Sequence, residues 1–135
     1  MPLRTAFLCC LVLASASFAE EKVAKKPLGT WARENNGHKF VFAIKAETLT
    51  IHMTNAQGSL VAEANYGVTS DGTLFGILTK VETKGIENGP QKGDLFGFDF
   101  SANKTELTLS NLKGTRTSEG AAKTVEGVYA LEKKK

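Results

Sequence analysis

From Leu28 to Glu132 apolar and polar residues alternate, and short runs of that alternation are broken by Gly, Asn and Asp. A period of two places successive side chains on opposite faces of an extended chain, so the pattern predicts strands with one buried face. Eight runs follow: Gly29–Glu34, His38–Lys45, Thr48–Thr54, Leu60–Thr69, Thr73–Thr83, Asp94–Ser101, Thr105–Leu112 and Val125–Glu132. In the third, Leu49, Ile51 and Met53 share one face; in the sixth, Phe96, Phe98 and Phe100 do. The fourth puts Ala62, Ala64, Tyr66 and Val68 together. The fifth is apolar on both faces, Phe75, Ile77 and Val81 on one, Leu74 and Leu78 on the other.

Turn chemistry punctuates these runs. Asn35-Asn36-Gly37 and Asn55-Ala56-Gln57-Gly58 end strands, and Ser70-Asp71-Gly72 is the strongest turn signal, because Asp-Gly supplies the positive φ a tight hairpin needs. Lys84 to Gly93, with three glycines and Pro90, is the one long loop. Thr117–Thr124 reads as a short helix with Ser118 as its cap, weakened by Gly120. No helix is long enough for a parallel crossover. Eight antiparallel strands in a chain this short predict an all-β fold, a small up-and-down barrel, because closure removes exposed edges. Gly67, Gly76, Gly97 and Gly127 lie inside strands, as expected where barrel strands bend.

The N-terminus follows a different pattern. Residues 1–19 carry Arg4, an apolar run from Ala6 to Ala14, and Ser17-Phe18-Ala19 before Glu20-Glu21. A positive start, a run too short to span a bilayer and small residues at −3 and −1 predict a cleaved signal peptide. The expected organisation is therefore a signal peptide over 1–19, a charged leader over 20–27, a barrel domain over 28–132 and a basic tail over 133–135. The mature product is expected to be exported to the periplasm or the extracellular medium, with no transmembrane segment. Both cysteines, Cys9 and Cys10, leave with the signal, so the domain must rest on its core without disulfides.

Composition narrows the function classes. The chain has 17 Lys and Arg against 14 Asp and Glu, and only Arg4 is lost with the signal. So small and scattered an excess does not point to nucleic acid. The mature chain has no cysteine nucleophile, no P-loop, no His-Glu-x-x-His and no Gly-x-Ser-x-Gly. His38 and His52, its only histidines, fall on opposite faces of one hairpin and cannot share a metal. Asp94 and Asp99 are five apart, which alternation also places on opposite faces. The expectation is a protein without catalysis, metal or cofactor. Asn103-Lys104-Thr105 is a glycosylation sequon, relevant only in a eukaryotic secretory pathway.

Leu28-Gly29-Thr30-Trp31 resembles the Gly-x-Trp opening of lipocalin and calycin barrels and the Gly-Thr-Trp opening of avidins. The resemblance implies a barrel with Trp31 packed across one end. The Thr-Asp-x-x-Tyr motif of lipocalins is absent, Arg116 is the candidate for their late arginine, and the several tryptophans of an avidin biotin site are reduced here to Trp31. Asp71-Gly72-Thr73-Leu74-Phe75-Gly76, Gly93-Asp94-Leu95-Phe96 and Val125-Glu126-Gly127-Val128-Tyr129 are similar to segments of uncharacterised secreted proteins of planctomycete-type bacteria. That resemblance implies a lipocalin-like barrel and no activity.

An eight-strand barrel interior is just wide enough to be filled by side chains or to hold one small ligand. Trp31, Phe40, Phe42, Tyr66, Phe75, Phe96, Phe98 and Tyr129 are the candidate lining of an apolar pocket, with Ala62, Ala64 and Gly76 leaving room. The expected function is to bind a small apolar molecule. The alternative is a structural or interaction module with a filled core, using the Lys84–Gly93 loop for contact.

Overall fold

The structure, a computed structural model, describes residues 25–132 except Asn88, Thr117 and Ser118, and only the backbone of residues 119–121. The expected signal peptide, most of the leader, the Ser118 cap and the terminal lysines lie outside the described residues.

Eight strands form in chain order: β1 (Gly29–Asn35), β2 (His38–Ile44), β3 (Thr48–Thr54), β4 (Ser59–Val68), β5 (Thr73–Lys84), β6 (Leu95–Ala102), β7 (Glu106–Gly114) and β8 (Gly127–Leu131). One helix, α1 (Glu119–Val125), lies between β7 and β8. Each strand pairs antiparallel with the next, and β8 returns to β1, so the sheet is a closed up-and-down barrel. The seam is short, with Trp31 opposite Leu131 and Ala32 opposite Ala130.

Local chemistry explains the hairpins. Asn36 and Gly37 both have positive φ, 50° and 83°, as a two-residue type I′ turn between β1 and β2 requires. Between β4 and β5, Gly72 N–H bonds back to the Thr69 carbonyl at 3.3 Å and Gly72 has φ 90°, the positive angle expected from Asp-Gly. Asn55 and Asn103 accept backbone N–H bonds through their side-chain oxygens, so both stabilise the turns they open.

Two bulges reset the alternation. Glu63 pairs with Lys80 and Ala64 with Leu78, which leaves Thr79 as an extra residue on β5. Before it, Leu74, Gly76 and Leu78 face inward; after it, Val81 does, opposite Ala62. The expectation that Phe75, Ile77 and Val81 share a face is therefore corrected. Phe75 and Ile77 are on the outside, 50% and 41% exposed. The Phe75 ring lies over Gly67, whose bare backbone it covers from the neighbouring strand. The second bulge is on β7, where Asn111 takes φ 53° and shifts Leu112 to the inner face beyond Leu107 and Leu109.

The core is densest at the end of the barrel holding the 45–47, 69–72 and 103–105 turns. Leu49, Leu74, Leu107, Leu109 and Tyr129 are each at most 2% exposed. Trp31 is buried at this end and donates from its indole nitrogen to the carbonyl of the buried Pro27 at 2.9 Å.

Candidate functional site

At the opposite end the barrel is not filled. A cavity of about 420 Å³ opens there, within the size range of small-molecule sites. Its position follows from the connections. The 36–37 and 55–58 turns are tight, whereas the longer 85–94 and 115–126 connections lie at this end and contribute Ile86, Pro90, Arg116 and Val125 to the lining. The lower wall is aromatic. Phe42 and Phe98 meet edge to face at 6.1 Å, and Phe96 stacks against Phe98 at 6.2 Å. Ala62 opposite Ile51 on adjacent strands keeps the interior wide, because its side chain is the smallest on this wall.

The eight aromatic candidates divide into four groups. Phe40, Phe42, Phe96 and Phe98 border the cavity together. Trp31 and Tyr129 are buried beneath it, Tyr129 against Phe42 at 5.3 Å. Tyr66 has the expected inner-face parity but sits at the closed end, where its hydroxyl donates to the Lys45 carbonyl and Lys26 lies over its ring. Phe75 is outside, because it pairs with Gly67 while Leu74 and Gly76 on either side of it pair with the inner-face Val68 and Tyr66. Met53, Leu60, Leu78 and Leu112 border the space and were not singled out beforehand. Period two finds Met53 beside Ile51, but Leu112 appears only when the β7 bulge is known.

The helix is tied to the barrel wall from inside. Arg33, an inward residue two beyond Trp31, donates from Nη1 to the Thr124 carbonyl at 2.7 Å and lies 6.0 Å from the Tyr129 ring. Its guanidinium occupies the space where a side chain at position 127 would begin: a Cβ there would stand 2.5 Å from Nε. Gly127 also has φ 140°, a conformation that favours glycine, and a side chain there would push the Arg33 guanidinium from its place. Tyr129 donates from its hydroxyl to the Val125 carbonyl at 2.6 Å. Burial pushes the Tyr129 phenol well above its ordinary pKa, only partly countered by Arg33. Glu126 accepts the Leu112 N–H at 2.9 Å, joining the helix end to β7.

Polar groups gather at one side of the mouth. Asp94, 7% exposed, accepts from Arg116 Nε at 2.8 Å and from the Gln91 N–H at 2.9 Å. Arg116 also donates from Nη2 to Gln91 Oε1 at 3.0 Å. Asp99 is a separate case, with hydrogen bonds from Asn111 and Thr73 holding its carboxyl below the usual range. The two aspartates therefore have different partners. His38 lines the mouth and stacks on Phe40, while His52 is exposed. Among the described residues no group of three or more His, Cys, Asp or Glu is placed to hold a metal ion, and no helix is long and apolar enough to cross a membrane. Comparison with known proteins finds no matching family model, no similar curated protein and no similar solved structure.

Proposed function

We propose that the exported domain binds one small apolar molecule in the open end of its barrel and performs no chemistry on it. The observation that carries this reading is the cavity of about 420 Å³, bordered by Phe40, Phe42, Phe96 and Phe98 and open at one mouth. A filled core would leave no such space. Apolar burial supplies the driving force, and the phenylalanine faces supply shape without a fixed polar requirement inside. Export, read from residues 1–19, places such a binder where ligands arrive from outside the cell.

The test is titration of the exported chain with a fluorophore that brightens in apolar surroundings. Saturable, one-to-one uptake is expected. Met53→Trp, at the half-buried edge of the cavity, is expected to weaken uptake about tenfold by occupying the space, a difference of about 1.4 kcal/mol. Folded protein that shows no saturable uptake would sink the proposal. The structural or interaction module would then be the better reading, with the Lys84–Gly93 loop as its contact surface.

A further inference from the structure

We infer that the ligand is an amphiphile, with an apolar body inside the barrel and a carboxylate head held at the mouth by Arg116. This rests on the reading of the cavity as a binding site. Of the charged groups that border the cavity, Arg116 is the one both fixed in place and left with donors to offer. A guanidinium has five N–H donors. Its Nε and Nη2 bonds to Asp94 and Gln91 occupy one edge of the fork. Among the described residues nothing engages the other edge, formed by Nη1 and the second hydrogen of Nη2. Such an edge can grip a carboxylate with two parallel bonds.

Asp94 is the positioning residue. It is more than nine-tenths buried, and the Arg116 Nε and the Gln91 N–H both bond its Oδ2, so it orients the guanidinium from the wall of the cavity. The bonds also join the 85–94 loop to the end of β7, fixing Arg116 relative to the mouth. Glu87 borders the same mouth with the opposite charge; it and Arg116 are both exposed, so solvent and salt screen both, and what distinguishes Arg116 is that its guanidinium is held by Asp94 and Gln91. His38, its ring nearly parallel to that of Phe40, also borders the cavity. The interior below is walled by phenylalanine and aliphatic side chains, so a charged head has no favourable position deeper in the barrel.

The experiment compares three straight-chain ligands of equal length, a carboxylate, its methyl ester and the primary amine, each displacing the apolar fluorophore at neutral pH. The carboxylate is expected to bind about tenfold or more tightly than the ester, and the amine most weakly, as hydrogen bonds to charged groups allow. Arg116→Gln is expected to remove the preference, so that carboxylate and ester bind that variant with equal affinity. Because that variant leaves Asp94 buried without its cation, the pair Asp94→Asn with Arg116→Gln is measured beside it and is expected to behave alike. Equal affinities for the three ligands, or a carboxylate preference that survives both variants, would overturn the inference and leave the apolar pocket standing. Failure of the fluorophore itself to bind would overturn the pocket and the inference together.

Discussion

Tyr129 shows how much one side chain does in this domain. Its ring is fully buried against Phe42, its hydroxyl holds the carbonyl at the end of α1, and the Arg33 guanidinium lies over its face. Burial raises its pKa because the phenolate would be poorly solvated there. An unfolded tyrosine titrates near pH ~10, whereas the folded one keeps its proton to higher pH. Above about pH 10 the unfolded state loses a proton that the folded state retains, so stability falls as pH rises through that range and is unaffected below it. Denaturant midpoints measured across the alkaline range should show this decline. Tyr129→Phe should flatten it, with Tyr66, also raised by burial, accounting for what remains. The same substitution should cost about 1–3 kcal/mol at neutral pH, because the Val125 carbonyl loses its partner. An alkaline decline unchanged in Tyr129→Phe would show that the phenol does not titrate as its burial implies.

At the level of elements, alternation was legible wherever a strand is uninterrupted. In β3 and β6 the sequence assigns Leu49, Ile51, Met53, Phe96, Phe98 and Phe100 to the inner face, and all six are packed in or against the core. Bulges were not legible, because an extra residue such as Thr79 has no composition that marks it, and each one inverts the parity of everything beyond it. The grouping of Val81 with Phe75 failed for that reason, and Leu112 was missed for the same reason on β7; Phe75 itself is outside because Leu74 and Gly76 pair with the inner-face Val68 and Tyr66. Turns with backbone demands were legible, and Gly72 gives the test. At φ 90° a valine is strained, and its Cβ would also stand 3.3 Å from the Phe100 carbonyl. Gly72→Val should therefore destabilise by about 1 kcal/mol or more, read as a lower denaturation midpoint with unchanged slope. Gly72→Asn should cost less, since asparagine tolerates the left-handed region. Equal midpoints for all three proteins would mean that this turn relaxes freely.

Across the whole molecule, dense packing and open space are separated along the barrel axis. The end that buries Trp31 packs Leu49, Leu74, Leu107 and Leu109 to near-complete burial, while the other end keeps its space. Sequence alone could not place that division, because the same alternation describes a filled and an open barrel. What decides it is where bulky side chains meet small ones, and which loops are long enough to stand away from the axis. The division predicts two kinds of core substitution. Leu107→Ala removes a side chain with no exposure, far from the cavity, and should cost roughly 2–5 kcal/mol. Its neighbours have no adjoining space into which to relax, and affinity for an apolar probe should be unchanged while the protein remains folded. Met53→Ala removes a side chain that already borders space, so the cavity term is smaller and the loss should fall below that of Leu107→Ala. Here the probe should respond, through the lost contacts and the wider pocket. Denaturation and probe titration on the two variants therefore give a crossed result, one moving stability most and the other moving affinity. Were Leu107→Ala to weaken probe binding as much as Met53→Ala in folded protein, the two ends would form one coupled interior, and the closed end could no longer be treated as scaffold.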